Sequence, residues 1–174
     1  MNIDTPAAEI TKQSSAQSST SPDPEALYAQ ALELDGLGKS KKWIIRSRDR
    51  QKAAELYREA AILGHASAMY NYALCCLRGE GVPKNKENQV QAVVWFRKAA
   101  EADIADAYNN LGYCHELGLG GLVRDVNEAE RNYGIAASMK NSTGNDNLTD
   151  LREYRAESSK RLLRFRRASG QAVP

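Results

Sequence analysis

Five side chains in this sequence are suited to ligate a metal or act as a nucleophile or base: Cys75, Cys76, Cys114, His65 and His115. A structural zinc site needs four ligands converging on one point. Cys75 and Cys76 are adjacent, as are Cys114 and His115. Neighbours on a helix point roughly 100° apart, so these pairs diverge and are expected to serve as core residues. His65 and His115 stand near no Ser or Asp in a catalytic pattern and are expected in a loop or the core. Gly118-Leu119-Gly120-Gly121 is glycine-rich, yet no strand precedes it and no Lys-Ser/Thr follows, so it reads as a helix-hairpin turn and not a phosphate loop. The expectation is therefore no catalytic residue, no metal and no cofactor.

The elements that carry these residues are helical. The chain has 174 residues, 42% of them hydrophobic, which suits one domain with some spare length. A net charge of +2 supplies no whole-molecule attraction for nucleic acid or membrane. No apolar run approaches the roughly 20 residues of a spanning helix. Asp4 and Glu9 near the start, with no apolar stretch after them, do not fit a secretory signal. A cytoplasmic location is expected, with export by a route independent of that signal left open. Three cysteines, an odd number in apolar helical sequence, read as reduced buried thiols.

Residues 1–22 are rich in Ser, Thr, Gln and Ala and are expected to be disordered. Asp23 then reads as an N-cap and Pro24 as a first helical residue. Helices are expected near 25–36, 51–62, 66–78, 88–101, 105–117, 127–139 and 148–167, with no strands. An internal repeat organises them. Ala53–Ala61 (AAELYREAA), Ala92–Ala100 (AVVWFRKAA) and Ala129–Ala137 (AERNYGIAA) each start with Ala, carry an aromatic at the fifth position and end in Ala-Ala, at spacings of 39 and 37 residues. The helices between them repeat too, matching Ala68/Ala107, Asn71/Asn110, Cys75/Cys114, Gly79/Gly118 and Gly81/Gly120. Ala68 and Ala107 permit close helix approach, Tyr57, Phe96 and Tyr133 fill the space so left, and Gly79 and Gly118 end the first helix of a hairpin. One hairpin cannot bury both faces, so the hairpins stack as a solenoid. Equivalent positions on stacked helices lie about 9–10 Å apart, too far for a Cys75–Cys114 disulfide, which needs Cα atoms within about 7 Å.

The string AMYNYALCCLRGEGVPKNKENQVQAVVWFRKAAE, with Ala68, Asn71, Gly79-Glu80-Gly81-Val82, Ala92, Trp95-Phe96 and Lys98-Ala99-Ala100, resembles a Sel-one-like repeat, a relative of the tetratricopeptide repeat. The next repeat carries Ala107, Asn110-Leu111-Gly112, Gly118, Gly120, Ala129, Tyr133 and Ala136-Ala137, with Gly121 in place of Val and Asn132 in place of Trp. A worn first repeat is marked by Gly36-Leu37-Gly38 and Ala53–Ala61, joined by the basic loop KSKKWIIRSRDR. The resemblance spans about residues 25–139. It implies an all-α, TPR-like right-handed solenoid of about three hairpins, acting as a scaffold or adaptor for protein partners.

The resemblance also places Asn71 and Asn110 on a concave groove, where an amide can bond a peptide backbone. Leu74 and Tyr113 follow one turn on, then Arg78 and Leu117, and Tyr28 is set at the matching position of the first repeat. A peptide or protein partner in the groove is the expected function. The alternative for the asparagines is that they bridge neighbouring repeats. Residues 147–168 form a basic, amphipathic stretch with Leu148, Leu151, Tyr154, Leu162 and Phe165, expected to cap the solenoid. Two rival readings are an adaptor working through residues 1–22, by phosphorylation or export, and an anionic-surface binder working through the basic tail. The oligomeric state is left open.

Overall fold

A computed structural model describes residues 21–36 and 47–168. The segment 1–20, Leu37, Gly38 and most of the basic loop lie outside the described residues. Among the described residues seven helices follow in order: α1 (Pro24–Leu34), α2 (Ser47–Ile62), α3 (Ala66–Arg78), α4 (Lys86–Glu101), α5 (Ala105–Leu117), α6 (Val126–Ser138) and α7 (Ser142–Ala168). No strand occurs among the described residues. The pairs α1/α2, α3/α4 and α5/α6 are hairpins, and each second helix also packs on the next first helix: α2 on α3, α4 on α5, α6 on α7. The result is the all-α repeat superhelix that the 37–39-residue period implies.

Local residues set the helix ends. Asp23 Oδ1 accepts from the Glu25 N–H at 3.1 Å, with Pro24 just inside the helix. Asn85 caps α4 through the Asn88 N–H at 2.8 Å, which starts that helix at Lys86. His65 caps α3: its Nδ1 accepts from the Ala68 N–H at 3.1 Å, its Nε2 meets Glu25 at 3.0 Å, and its ring stacks on Tyr28. Gly79 and Gly118 end α3 and α5 in the left-handed region.

The core is built from the repeat's small and aromatic positions. Tyr57, Phe96 and Tyr133 are fully buried against Ala31, Ala60, Ala73, Ala92, Ala107 and Ala129. The two tyrosines carry a hydroxyl into the core and satisfy it at the edge, Tyr57 on Asp35 at 3.3 Å and Tyr133 on Glu116 at 2.7 Å. Gly112 leaves room for the Tyr133 ring, which would lie 2.6 Å from a Cβ there.

Helix α7 begins at Ser142, ahead of the start near 148 that local sequence indicates. STGN is poor helix-forming sequence, and tertiary contacts override it. Asn141 Oδ1 accepts from the Gly144 N–H at 2.7 Å, and Asn141 Nδ2 donates to Asp106 at 2.7 Å. A Cβ at Gly144 would sit 2.6 Å from that of Ala136, so only glycine permits this approach. Gly144, Asn147, Leu148 and Leu151 stand 37 residues after Ala107, Asn110, Leu111 and Cys114. The first turns of α7 thus occupy the place of a fourth repeat's first helix. Thr149, the counterpart of Gly112, is exposed.

All three cysteines are buried free thiols. Burial pushes the Cys75 thiol up to about 12 and Cys114 up to about 11, and raises Cys76 as well. The thiolate is the reacting form. An aromatic disulfide reagent at pH 8 should therefore modify the folded chain slowly and all three thiols at once in denaturant. Rapid stoichiometric labelling of the folded chain would contradict this burial.

Candidate functional site

The expected groove residues lie on the first helices, and the repeat aligns them. Asn71, Asn110 and Asn147 form one column across α3, α5 and α7. Each donates from Nδ2 to the preceding first helix: Asn71 to Tyr28 Oη at 3.4 Å, Asn110 to Tyr70 Oη at 3.3 Å, and Asn147 to Asn109 Oδ1 at 2.8 Å. Asn110 also donates to the Asp106 carbonyl at 2.9 Å. Of the two roles considered for these asparagines, bridging of neighbouring repeats is the one with bonds in the structure. For a ligand they retain the acceptor capacity of Oδ1. The bonds also shift one register: Tyr28 is the counterpart of Tyr70, one position before the asparagine column. Its hydroxyl accepts from Asn71 and its ring stacks on His65.

Two cavities flank this column. The larger, about 520 Å³, lies across α3, α5 and α7 and brings together Arg78, Asn110 and Tyr113 from the expected set. It adds Leu77, Lys84, Gln89, Asn109, Leu119 and Asn147, which the helix pattern did not single out. The smaller, about 210 Å³, joins Asn71, Leu74 and Arg78 to Asp35, Arg50 and Glu80. Leu117 lines neither; it is half exposed at the end of α5.

The larger cavity is lined by two cations and four amides and by no carboxylate. Lys84 reaches it because Gly79 has no side chain: a Cβ there would fall 2.6 Å from Lys84 Cβ. The loop after α3 therefore folds back beside Arg78. One repeat on, Arg124 passes Gly118 in the same way, but its Nε donates to the Glu116 carbonyl at 2.9 Å. Neither Arg78 nor Lys84 forms an ion pair among the described residues. The surface can accept N–H groups on amide oxygens, hold carboxylates on Arg78 and Lys84, and pack an apolar side chain on Tyr113, 43% exposed.

Among the described residues no group of three or more His, Cys, Asp or Glu is placed to hold a metal ion. His115 Nδ1 is buried with no hydrogen-bond partner among the described residues. No described helix is long and apolar enough to cross a membrane.

The profile of the Sel1 repeat matches residues 24–65, 66–104 and 105–141. Chitin synthase regulatory factor 3 of Schizosaccharomyces pombe is 34% identical over 123 residues, 70% of this chain and 12% of that protein. The solved structure of c5321, a protective antigen of uropathogenic Escherichia coli strains with an SLR fold, matches with a TM-score of 0.65 and 28% identity, over 76% of this chain and 26% of that one. A Sel1 repeat protein from Oxalobacter formigenes matches with a TM-score of 0.58 and 31% identity, over 72% of this chain and 48% of that one. The chain spans less than half the length of each of these proteins.

Proposed function

We propose, from the premise that this chain belongs to the Sel1 repeat family, that it is a scaffold holding an extended segment of a protein partner in the groove beside the asparagine column. Proteins of this family are typically protein-interaction scaffolds. The observation that carries the reading is the cavity across α3, α5 and α7, where amides, Tyr113 and two cations with no ion pair among the described residues converge. Its residues match what a peptide offers: backbone N–H groups, carboxylates and an apolar side chain. A regulatory role agrees with the name of the Schizosaccharomyces pombe relative, a chitin synthase regulatory factor.

The test is to select peptides from a random display library on the wild-type chain and measure their affinity for Arg78→Ala/Tyr113→Ala. Losing anchors of this kind should weaken binding about 10–100-fold. Unchanged affinity would sink the groove reading. Asn71 and Asn110 are poorer probes, because their truncation also removes bonds between helices.

A further inference from the structure

Helix α7 is 27 residues long, about twice α3 or α5, and among the described residues only its first part meets the solenoid. Leu148 and Leu151 are buried on Ala129 and Tyr133 of α6. Arg152 and Arg155 both bind Glu130 of α6, Arg152 Nε at 2.8 Å. C-terminal to Arg155, every described side chain is exposed and none bonds to another element. An isolated helical end of this length is marginal in water.

The sequence of that end repeats the part that is docked. Leu151-Arg-Glu-Tyr154-Arg155 recurs eleven residues on as Leu162-Leu-Arg-Phe165-Arg166. Eleven residues are three turns, so the second copy falls on the same face as the first to within about 20°. Leu162, 52% exposed, thus continues the face that α6 covers at Leu151. From Ser158 to Ala168 the sequence has five Lys/Arg and no Asp/Glu.

We propose that the projecting half of α7 docks an acidic amphipathic helix of a partner protein, in the way its first half docks α6. The first copy shows what the motif takes: small and aromatic apolar groups on the leucine, and a carboxylate such as Glu130 on the arginine four residues later. A lipid bilayer approaching along the face of Leu162 would meet α6 on that same side of α7. Nucleic acid would use the cations and leave Leu162 without a role.

A stapled helical peptide of the α6 sequence, residues 126–138, stands in for the partner helix, titrated against the full chain by fluorescence anisotropy. Wild type should bind it, and the Glu130→Lys version of the peptide should bind at least tenfold more weakly. In the protein, Leu162→Ser and Arg166→Glu should each cost roughly tenfold, while Lys160→Gln, on the face opposite Leu162, should change affinity less than twofold. Circular dichroism should show all three variants folded, since Leu162 and Lys160 are exposed and Arg166 lies beyond the last turn that meets α6. No binding by the wild type overturns the proposal. So does equal loss with Lys160→Gln and Arg166→Glu, or tighter binding to phosphatidylserine vesicles or RNA that is indifferent to Leu162→Ser. The groove variant Arg78→Ala/Tyr113→Ala should bind the α6 peptide as wild type does, which separates this site from the groove.

Discussion

Phe96→Ala should lower unfolding free energy by about 3–5 kcal/mol, the range for deleting a fully buried phenylalanine. Phe96 has no exposed surface and sits in the middle hairpin, between the first helices of two repeats. Its ring lies 5.9 Å from that of Tyr70, and Ala73, Ala92, Ala107 and Leu111 share its cluster. Five of the nine other buried members of that cluster are alanines, which cannot swing in to fill the void, so only part of the loss is recovered by collapse. In a stack whose repeats contact only neighbours, a defect in the middle weakens the joint on both sides. A domain of this size holds about 5–15 kcal/mol in all, so a large share of the stability should go. Urea unfolding followed by circular dichroism measures it. Val123→Ala, at a site 86% exposed, should stay within about 0.5 kcal/mol. A Phe96→Ala loss as small as that would contradict the packing described.

Gly120→Ala should cost about 2–5 kcal/mol, although it adds one methyl group. Gly120 has φ +62°, a conformation in which a Cβ costs about 1–2 kcal/mol. That Cβ would also lie 2.5 Å from the Gln89 carbonyl oxygen and 2.4 Å from a Val93 methyl. The carbonyl belongs to the backbone of α4, so relief requires moving a helix, and overpacking adds about 1–3 kcal/mol. Gly81 repeats the arrangement one hairpin earlier, against the Arg50 carbonyl. Two other glycines isolate the contributions. Gly64 has φ +95° with open space around it, so Gly64→Ala should carry the conformational cost alone. Gly134 lies inside α6 with nothing within 4 Å, so Gly134→Ala should stabilise by about 0.5–1 kcal/mol. Equal midpoints for Gly120→Ala and Gly64→Ala would remove the close approach of the loop to α4 from the account.

Most of the fold was legible because it depends on residue size at a fixed period. Ala68, Ala107, Tyr57, Phe96 and Tyr133 recur at 37–39 residues, and burial follows from that recurrence. Leu74, Arg78 and Tyr113 follow from the asparagines at one or two helical turns, and each lines one of the two cavities. Lys84 was not found, since it arrives through a loop and is placed by the missing side chain of Gly79. Asn147 was missed for a different reason. It sits in NSTGNDN, which reads locally as a loop, so the period was not extended into it.

The sequence by itself determined the helical hairpins, the identity of the buried side chains and the membership of the repeats, because size, periodicity and capping act over a few residues. Only the tertiary structure decided three other matters. It assigned the asparagine amides to hydrogen bonds between repeats, turned Ser142–Leu148 into helix against its local preference, and divided α7 into a docked half and a projecting one. Each depends on a neighbour roughly 20 to 40 residues away: Tyr70 for Asn110, Asn109 for Asn147, Glu130 for Arg152. Side-chain types announce that such bonds are available, and the stacking of one hairpin on the next selects which are made.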